Sequence, residues 1–292
     1  MKKIIALLLS AVLFLSAAAC DICGGGLNNL NPYLFPHLSK SYLGVSYFHN
    51  HYRLNEDGQI TNQYNNAFVF SGQYTFSNKV QVVALVPFQF NTMTSENIKA
   101  STQGIGDVTV LANYTVLTKM LFKTSHAFSV GAGLKLPSGE YNKVKNDPLN
   151  DQNFQLGSGS LDYLLNASCR FGFGNFILST LGAYKYTTSN KDGYRYGDVL
   201  TTGATAVYQV KAGQFSLAPY LQAVHETHYR DAAQHVLQNH SGGDVLYTGA
   251  GLDISAKRIT IGMNYQVAAN QNLVQGELQA KPRLSARLSF SL

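Results

Sequence analysis

The sequence predicts an all-β chain folded as a closed antiparallel transmembrane β-barrel of about twelve strands, short turns at one rim and long loops at the other. Three observations predict it. From residue 41 onward the polarity alternates with period two, which places one apolar and one polar row on opposite faces of each strand. Connections alternate between short and long. Charged residues are only 13% of the 292, against 18 Tyr and 16 Phe. After the leader there is no apolar run of about 18 residues, so helical spans are excluded.

Met1-Lys2-Lys3, the apolar stretch Ile4 to Leu15 and Ala17-Ala18-Ala19 form a basic region, a hydrophobic region and a small-residue cleavage site. Residues 1–19 therefore read as a secretory signal peptide. Without Lys2 and Lys3, 22 basic residues become 20 against 16 acidic ones, a mild excess that does not point to nucleic acid. Cys20-Asp21-Ile22-Cys23 would open the exported chain. Cys20 as a lipid acceptor, a Cys20–Cys23 disulfide and half of a metal site are the three readings, and one CxxC supplies only two of four zinc ligands. Cys169 lies among apolar residues and reads as a small hydrophobe. Residues 20–40, with Pro32, Pro36 and Tyr33-Leu34-Phe35, read as a periplasmic segment or plug ahead of a barrel over 41–292.

The strands follow in order, beginning with one near 41–54. Phe68, Phe70, Gly72, Tyr74 and Phe76 oppose Ser71, Gln73 and Thr75. After Ser77-Asn78, the row Val80 to Phe90 opposes Lys79, Gln81 and Gln89, with Val83 and Leu85 as apolar exceptions on the polar side. Val108 to Val116, Phe128 to Leu136 and Leu161 to Phe171 repeat the pattern, as do strands near 175–186, 196–210 and 214–228. Leu246 to Ile254, Ile259 to Val267 and Leu284 to Leu292 complete the set. Short connections fall at 77–78, 118–125, 172–174, 211–213 and 257–258. Long polar ones are expected at 55–65, 91–103, 138–157, 187–195, 229–243 and 269–280.

Such segments match the ~9–11 residues needed to cross hydrocarbon at a tilt. A soluble sandwich is the alternative, but it has no reason to sort its loops by length. In the barrel the polar rows line a lumen, with the charges Asp107, Lys135, Asp162, Arg170, Arg283 and Arg287 inside. Tyr74, Phe76, Tyr114, Tyr186, Tyr265 and Phe290 sit near segment ends, where interfacial girdles form.

Gly104-Ile105-Gly106-Asp107 through Tyr114, Gly133-Leu134-Lys135-Leu136-Pro137-Ser138-Gly139 and Gly157-Ser158-Gly159-Ser160-Leu161-Asp162 resemble three motifs of one family. It is a transporter-like outer-membrane β-barrel family grouped with meta-pathway phenol-degradation proteins. The Cys-Asp-Ile-Cys-Gly opening is similar to Bacteroidetes-type members, which often carry Cys where Gly25 stands. The resemblance implies an outer-membrane barrel that moves small, hydrophobic solutes, and it brings no substrate residues.

No helix follows the glycine pairs, so they are not phosphate loops. They read as loop-to-strand junctions. His240-Ser241-Gly242 is the nearest approach to a hydrolase site, and no Ser-His-Asp spacing supports one, so the chain reads as a non-enzyme without a cofactor. Six of the eight His fall at the loop end: His49, His51, His225, His228, His235 and His240. Imidazoles in that number suit Zn or Cu. Two functions compete: a passive channel in outer-membrane lipid for small solutes, and a non-conducting barrel whose His-rich loops hold a metal or partner.

Overall fold

The computed structural model describes residues 41–96, 99–121, 124–141 and 154–292. The signal peptide, the 20–40 segment, Cys20 and Cys23 lie outside them. Strand β1 runs over Tyr42–Glu56, β2 over Gln59–Thr75 and β3 over Val80–Thr94. β4 has two pieces, Lys99–Ile105 and Val108–Leu121. β5 is Thr124–Leu136, β6 Asp162–Phe173 and β7 Phe176–Tyr186. β8 comprises Val199–Tyr208 and Val210–Ala212, β9 Phe215–His228 and β10 Gly243–Ala256. β11 is Ile259–Leu273, and β12 comprises Leu278–Ala280 and Arg283–Ser291.

Each strand pairs antiparallel with the next, and β12 pairs with both β11 and β1 to close a twelve-stranded barrel. The closing seam runs from Tyr42↔Ser291 to His49↔Leu284 and is sealed by the Leu292 amide donating to the Ser41 carbonyl at 2.9 Å. Closure leaves no unpaired edge, which is what hydrocarbon demands of a sheet.

The faces are decided by exposure. Phe68 is 42% exposed, Val110 38% and Leu288 49%, whereas Val69 and Val83, on the opposite face, are 1% exposed. A two-layer soluble sandwich would bury the first group. Here the apolar rows form the outer wall, and that wall is a surface for acyl chains. Near the short turns it carries the exposed aromatics Phe76, Phe173, Phe176, Tyr208, Phe215 and Phe290, which suit an interfacial girdle. Cys169 is a free thiol in the outward register of β6.

Ala167→Arg, in the middle of the outer face of β6, is expected to destabilise the barrel in vesicles by about 2–4 kcal/mol. Phe176→Arg, at the short-turn rim, is expected to cost about 0–1 kcal/mol, because there the cation reaches the interface. Urea unfolding of the two variants checks the contrast.

Three connections expected to be long are tight. β1 and β2 are joined by Asp57-Gly58 alone, both at positive φ (49° and 85°), as a two-residue hairpin turn requires. β3 ends at Thr94 and β4 resumes at Lys99; β11 ends at Leu273 and β12 resumes at Leu278. In these stretches, such as Asn62 to Asn66, both strand faces are polar, so alternation of polarity fades while the backbone ladder continues. The segments 137–161, 187–198 and 229–242 are the long connections between barrel strands. The last two carry a small sheet of Tyr194–Arg195, Ala232–Ala233 and Val236–Leu237.

Candidate functional site in the barrel interior

The three glycine-bearing motifs meet at one point inside the loop rim. β4 breaks at Gly106-Asp107, between its two pieces, and turns the Asp107 carboxylate inward. Its Oδ1 accepts from the Gly139 amide at 3.0 Å, and its Oδ2 accepts from the Ser158 amide and hydroxyl, each at 2.8 Å. Lys135 on β5 places Nζ 2.7 Å from Asp162 Oδ2 on β6, 3.4 Å from Asp107 Oδ2 and 3.0 Å from Ser158 Oγ. Ser160 donates its hydroxyl to Asp162 Oδ1 at 2.8 Å. Two carboxylates thus share one ammonium, and loop amides and serine hydroxyls donate to three of their four oxygens. That is the condition under which buried charge is tolerated.

The glycines are needed for contact as well as for turning. A Cβ on Gly139 would lie 2.8 Å from the Cα of Gly157, and one on Gly157 would lie 2.6 Å from the Gly139 carbonyl oxygen. The clamp draws the end of the 137–161 loop against the inner wall. Phe154 and Leu156 are buried there, with Thr102 Oγ1 donating to the Phe154 carbonyl at 3.1 Å and Gln89 Nε2 to the Leu156 carbonyl at 3.2 Å.

A second network is built from β1, β9, β10 and β12. Arg283 donates from Nη1 to Glu226 Oε1 and from Nη2 to the Tyr52 hydroxyl, both at 2.9 Å. Its guanidinium carbon stands 3.6 Å from the centre of the Tyr247 ring, a cation–π contact. His228 Nε2 lies 3.4 Å from Glu226 Oε2. Nearer the short turns, Arg287 donates to Asp253 Oδ1 at 2.8 Å. Arg170 also has inward register on β6, and among the described residues it has no hydrogen bond or ion pair. The six charges expected inside thus fall into two networks, the Arg287–Asp253 contact and, among the described residues, one unpaired cation.

Between these charges lies an apolar patch. Phe48, Ala67, Val69, Val83, Leu85 and Leu111 pack together on the inner wall of β1 to β4, with Leu164 of β6 against them. Val83 and Leu85, the exceptions in the sequence pattern of β3, belong to it. Glu226 shares the parity of Val224 and His228 on β9, which marks it as inward. Tyr52 and Tyr247 carry no such signal, because either face of a strand accepts tyrosine.

The histidines are dispersed. His49 and His51 face outward on β1, where His49 Nδ1 is 2.6 Å from Asn66 Oδ1 and His51 stacks on Tyr64 at 4.4 Å. His225 faces outward beside Asp244, while His228 faces inward. His235 sits at φ 68° in the turn of the small sheet, and His240 Nδ1 is 3.3 Å from Glu277 Oε2. Among the described residues no three His, Cys, Asp or Glu side chains converge on a metal position. Ser241 donates to the Gln238 carbonyl at 2.7 Å, and His240 engages Glu277 rather than Ser241.

The 187–198 loop is pinned by Asp198, which accepts from the Thr187 amide at 2.9 Å, from Arg195 at 2.8 Å and from the Tyr184 hydroxyl at 2.7 Å. Burial pushes its carboxyl up, but the Thr187 amide, the Tyr184 and Thr187 hydroxyls and the Arg195 charge outweigh it and hold it below the usual carboxylate value. A depressed carboxylate lends stability that is full above its unfolded value and lost as pH falls through its folded value. Proteolytic nicking within 187–198 is therefore expected to begin only below the ordinary carboxylate range, and Asp198→Asn should remove that dependence on pH.

A model of the family described as "Putative MetA-pathway of phenol degradation" matches residues 47–277, which is most of the chain. The chain belongs to that family. The match spans all three motifs of the clamp, so a family member's glycines and Asp107 meet here in space. No curated protein matches the sequence. Among solved structures, an outer membrane channel from Pseudomonas putida F1 is similar with a TM-score of 0.65 at 14% identity, over 87% of this chain and 96% of that one. The beta domain of a Bordetella autotransporter is similar with a TM-score of 0.55 at 11% identity, over 87% of this chain and 100% of that one. The translocator domain of an autotransporter from Neisseria meningitidis reaches 0.51 at 10% identity, over 93% and 95%. At these identities the likeness is one of fold, that of outer-membrane barrels.

Proposed function

We propose that the chain is a passive outer-membrane channel for small solutes with apolar bodies. The observation that carries this reading is the inner apolar patch from Phe48 to Leu111. Lipid selects apolar residues for the outside of a barrel, but it makes no such demand on the inside. An apolar stretch on the inner wall, between charged networks, suits an uncharged body that leaves water on entering. The named Pseudomonas neighbour is an outer membrane channel, which supports the same reading.

In this account residues 1–19 direct export of the chain to the outer membrane of a Gram-negative bacterium, where lipid is its constant partner. The clamped end of the 137–161 loop narrows the outer mouth, and the inner wall then selects by size and polarity. No reacting group and no cofactor takes part.

Planar bilayers test the proposal. Purified full-length protein is expected to give steady single-channel steps, and Val83→Thr, which keeps the volume and adds a hydroxyl, should change their size while leaving the heat-modifiable gel mobility of the folded barrel intact. Absence of steps from folded protein would contradict the channel and leave the non-conducting binding barrel.

A further inference from the structure

Strand register sorts the outward side chains of β1 to β4 by height. One row is Tyr47, Phe68, Phe88 and Ile105, apolar and aromatic throughout. Two residues nearer the loops come His49, Asn66, Phe90 and Gln103, and then His51, Tyr64, Thr92 and Ser101. The next row is Arg53, Asn62, Thr94 and Lys99, with a cation at each end.

The change of character falls where the hydrocarbon ends. From Phe76 at the short turn to Phe68, the outward row of β2 climbs eight residues. At a tilt of about 40° that is roughly 20 Å along the membrane normal, most of the ~25 Å apolar band. The rows of His51 and Arg53 therefore stand at head-group height on the loop side.

This is not a general property of the rim. On β5, β6 and β7 the outward residues nearest the loops are Leu136, Tyr163 and Tyr186, which are 39%, 47% and 48% exposed. On β9 and β10 the outward polar residues include a carboxylate, Asp244, which accepts from the Thr227 hydroxyl at 2.6 Å. The four rows on β1 to β4 contain no acid; Glu56, Asp57 and Glu96 lie past them at the hairpin tips. Side-chain contacts hold this face in shape. The His51 ring stacks on Tyr64 and places Nε2 3.1 Å from Asn62 Oδ1, and Tyr47 donates its hydroxyl to Asn66 Oδ1 at 3.2 Å. Arg53 and Lys99 are exposed, three strand spacings or roughly 14 Å apart.

We propose that this face binds the phosphorylated disaccharide head of an outer-leaflet glycolipid. Its acyl chains lie on the row from Tyr47 to Ile105, which continues the lipid-facing wall. Its sugar rings rest on the His51–Tyr64 stack, with the hydroxyls of Thr92 and Ser101 beside them. Its two phosphates, one at each end of the disaccharide, take charge-assisted hydrogen bonds from Arg53 and Lys99. The site requires a barrel that stands in the outer membrane with its loops outward. It does not require that the barrel conduct.

The test is native mass spectrometry of the full chain in detergent, titrated in turn with diphosphoryl lipid A and with phosphatidylglycerol. Diphosphoryl lipid A is expected to bind the more tightly. Arg53→Gln with Lys99→Gln should weaken it at least about tenfold, the effect of losing charge-assisted hydrogen bonds. Lys211→Gln with Arg258→Gln removes the same charge from exposed positions at the short-turn rim and should leave the affinity unchanged. All four positions are exposed, so both variants fold, which heat-modifiable mobility verifies. An unchanged affinity in the first variant, an equal loss in the second, or equal binding of phosphatidylglycerol to the unaltered chain would overturn the site.

Discussion

Lys135→Met is expected to destabilise the folded barrel by about 3–5 kcal/mol, the cost of removing one partner from a buried ion pair. The effect is large because of what remains. Asp107 and Asp162 both point at the vacated position, at 4% and 1% side-chain exposure, and Lys135 is the cation they share. Two carboxylates left facing each other away from bulk water repel, with no cation between them to offset it. Asp107→Asn is expected to cost less, since Lys135 keeps Asp162 and the carboxamide oxygen still accepts from Gly139 or Ser158. Urea unfolding monitored by heat-modifiable mobility ranks the two, and Lys135→Met should also expose the 137–161 loop to protease. Equal, small effects from both variants would show that the clamp contributes little.

Arg283→Met is expected to cost a similar ~3–5 kcal/mol. Glu226, at 2% side-chain exposure, loses both arginine hydrogen bonds and keeps only His228 at 3.4 Å. The methionine also removes the cation from the Tyr247 ring and a donor from the Tyr52 hydroxyl. Pairing it with Glu226→Leu should recover much of the loss, because the orphaned charge then disappears while apolar volume fills the space. A double-mutant cycle measures that recovery. The compensation separates an ion pair that fixes strand register from one whose removal is merely disruptive.

Much of the barrel was legible because lipid enforces a simple rule on each strand. Phe68, Val110 and Leu288 had to face outward if the polar rows faced inward, and they do. Loop lengths were less legible. The Asn62–Asn66 stretch has no apolar face, yet it stays in the ladder because β1 on one side and β3 on the other satisfy its backbone. Convergence of the clamp was not legible either. Gly106, Gly139 and Gly157 announce turns, but their mutual contact depends on how a loop folds back, which no local period encodes. The histidines show the opposite hazard. They cluster in sequence at the loop end, while their registers send His225 and His228 to opposite faces. The apolar inner patch was visible only as two exceptions, Val83 and Leu85, whose meaning required the neighbouring strands.

The central claim is that the apolar wall faces lipid and the polar wall faces the interior of a closed cylinder. Spin labels at adjacent positions 109 and 110 of β4, and at 205 and 206 of β8, in a cysteine-free background and reconstituted in vesicles, test it directly. The account predicts that labels at 110 and 206 collide preferentially with oxygen dissolved in lipid. It predicts that labels at 109 and 205 are shielded from oxygen and reached, if at all, by a water-soluble nickel complex. The reverse order at either pair, or no difference between neighbours, would contradict it.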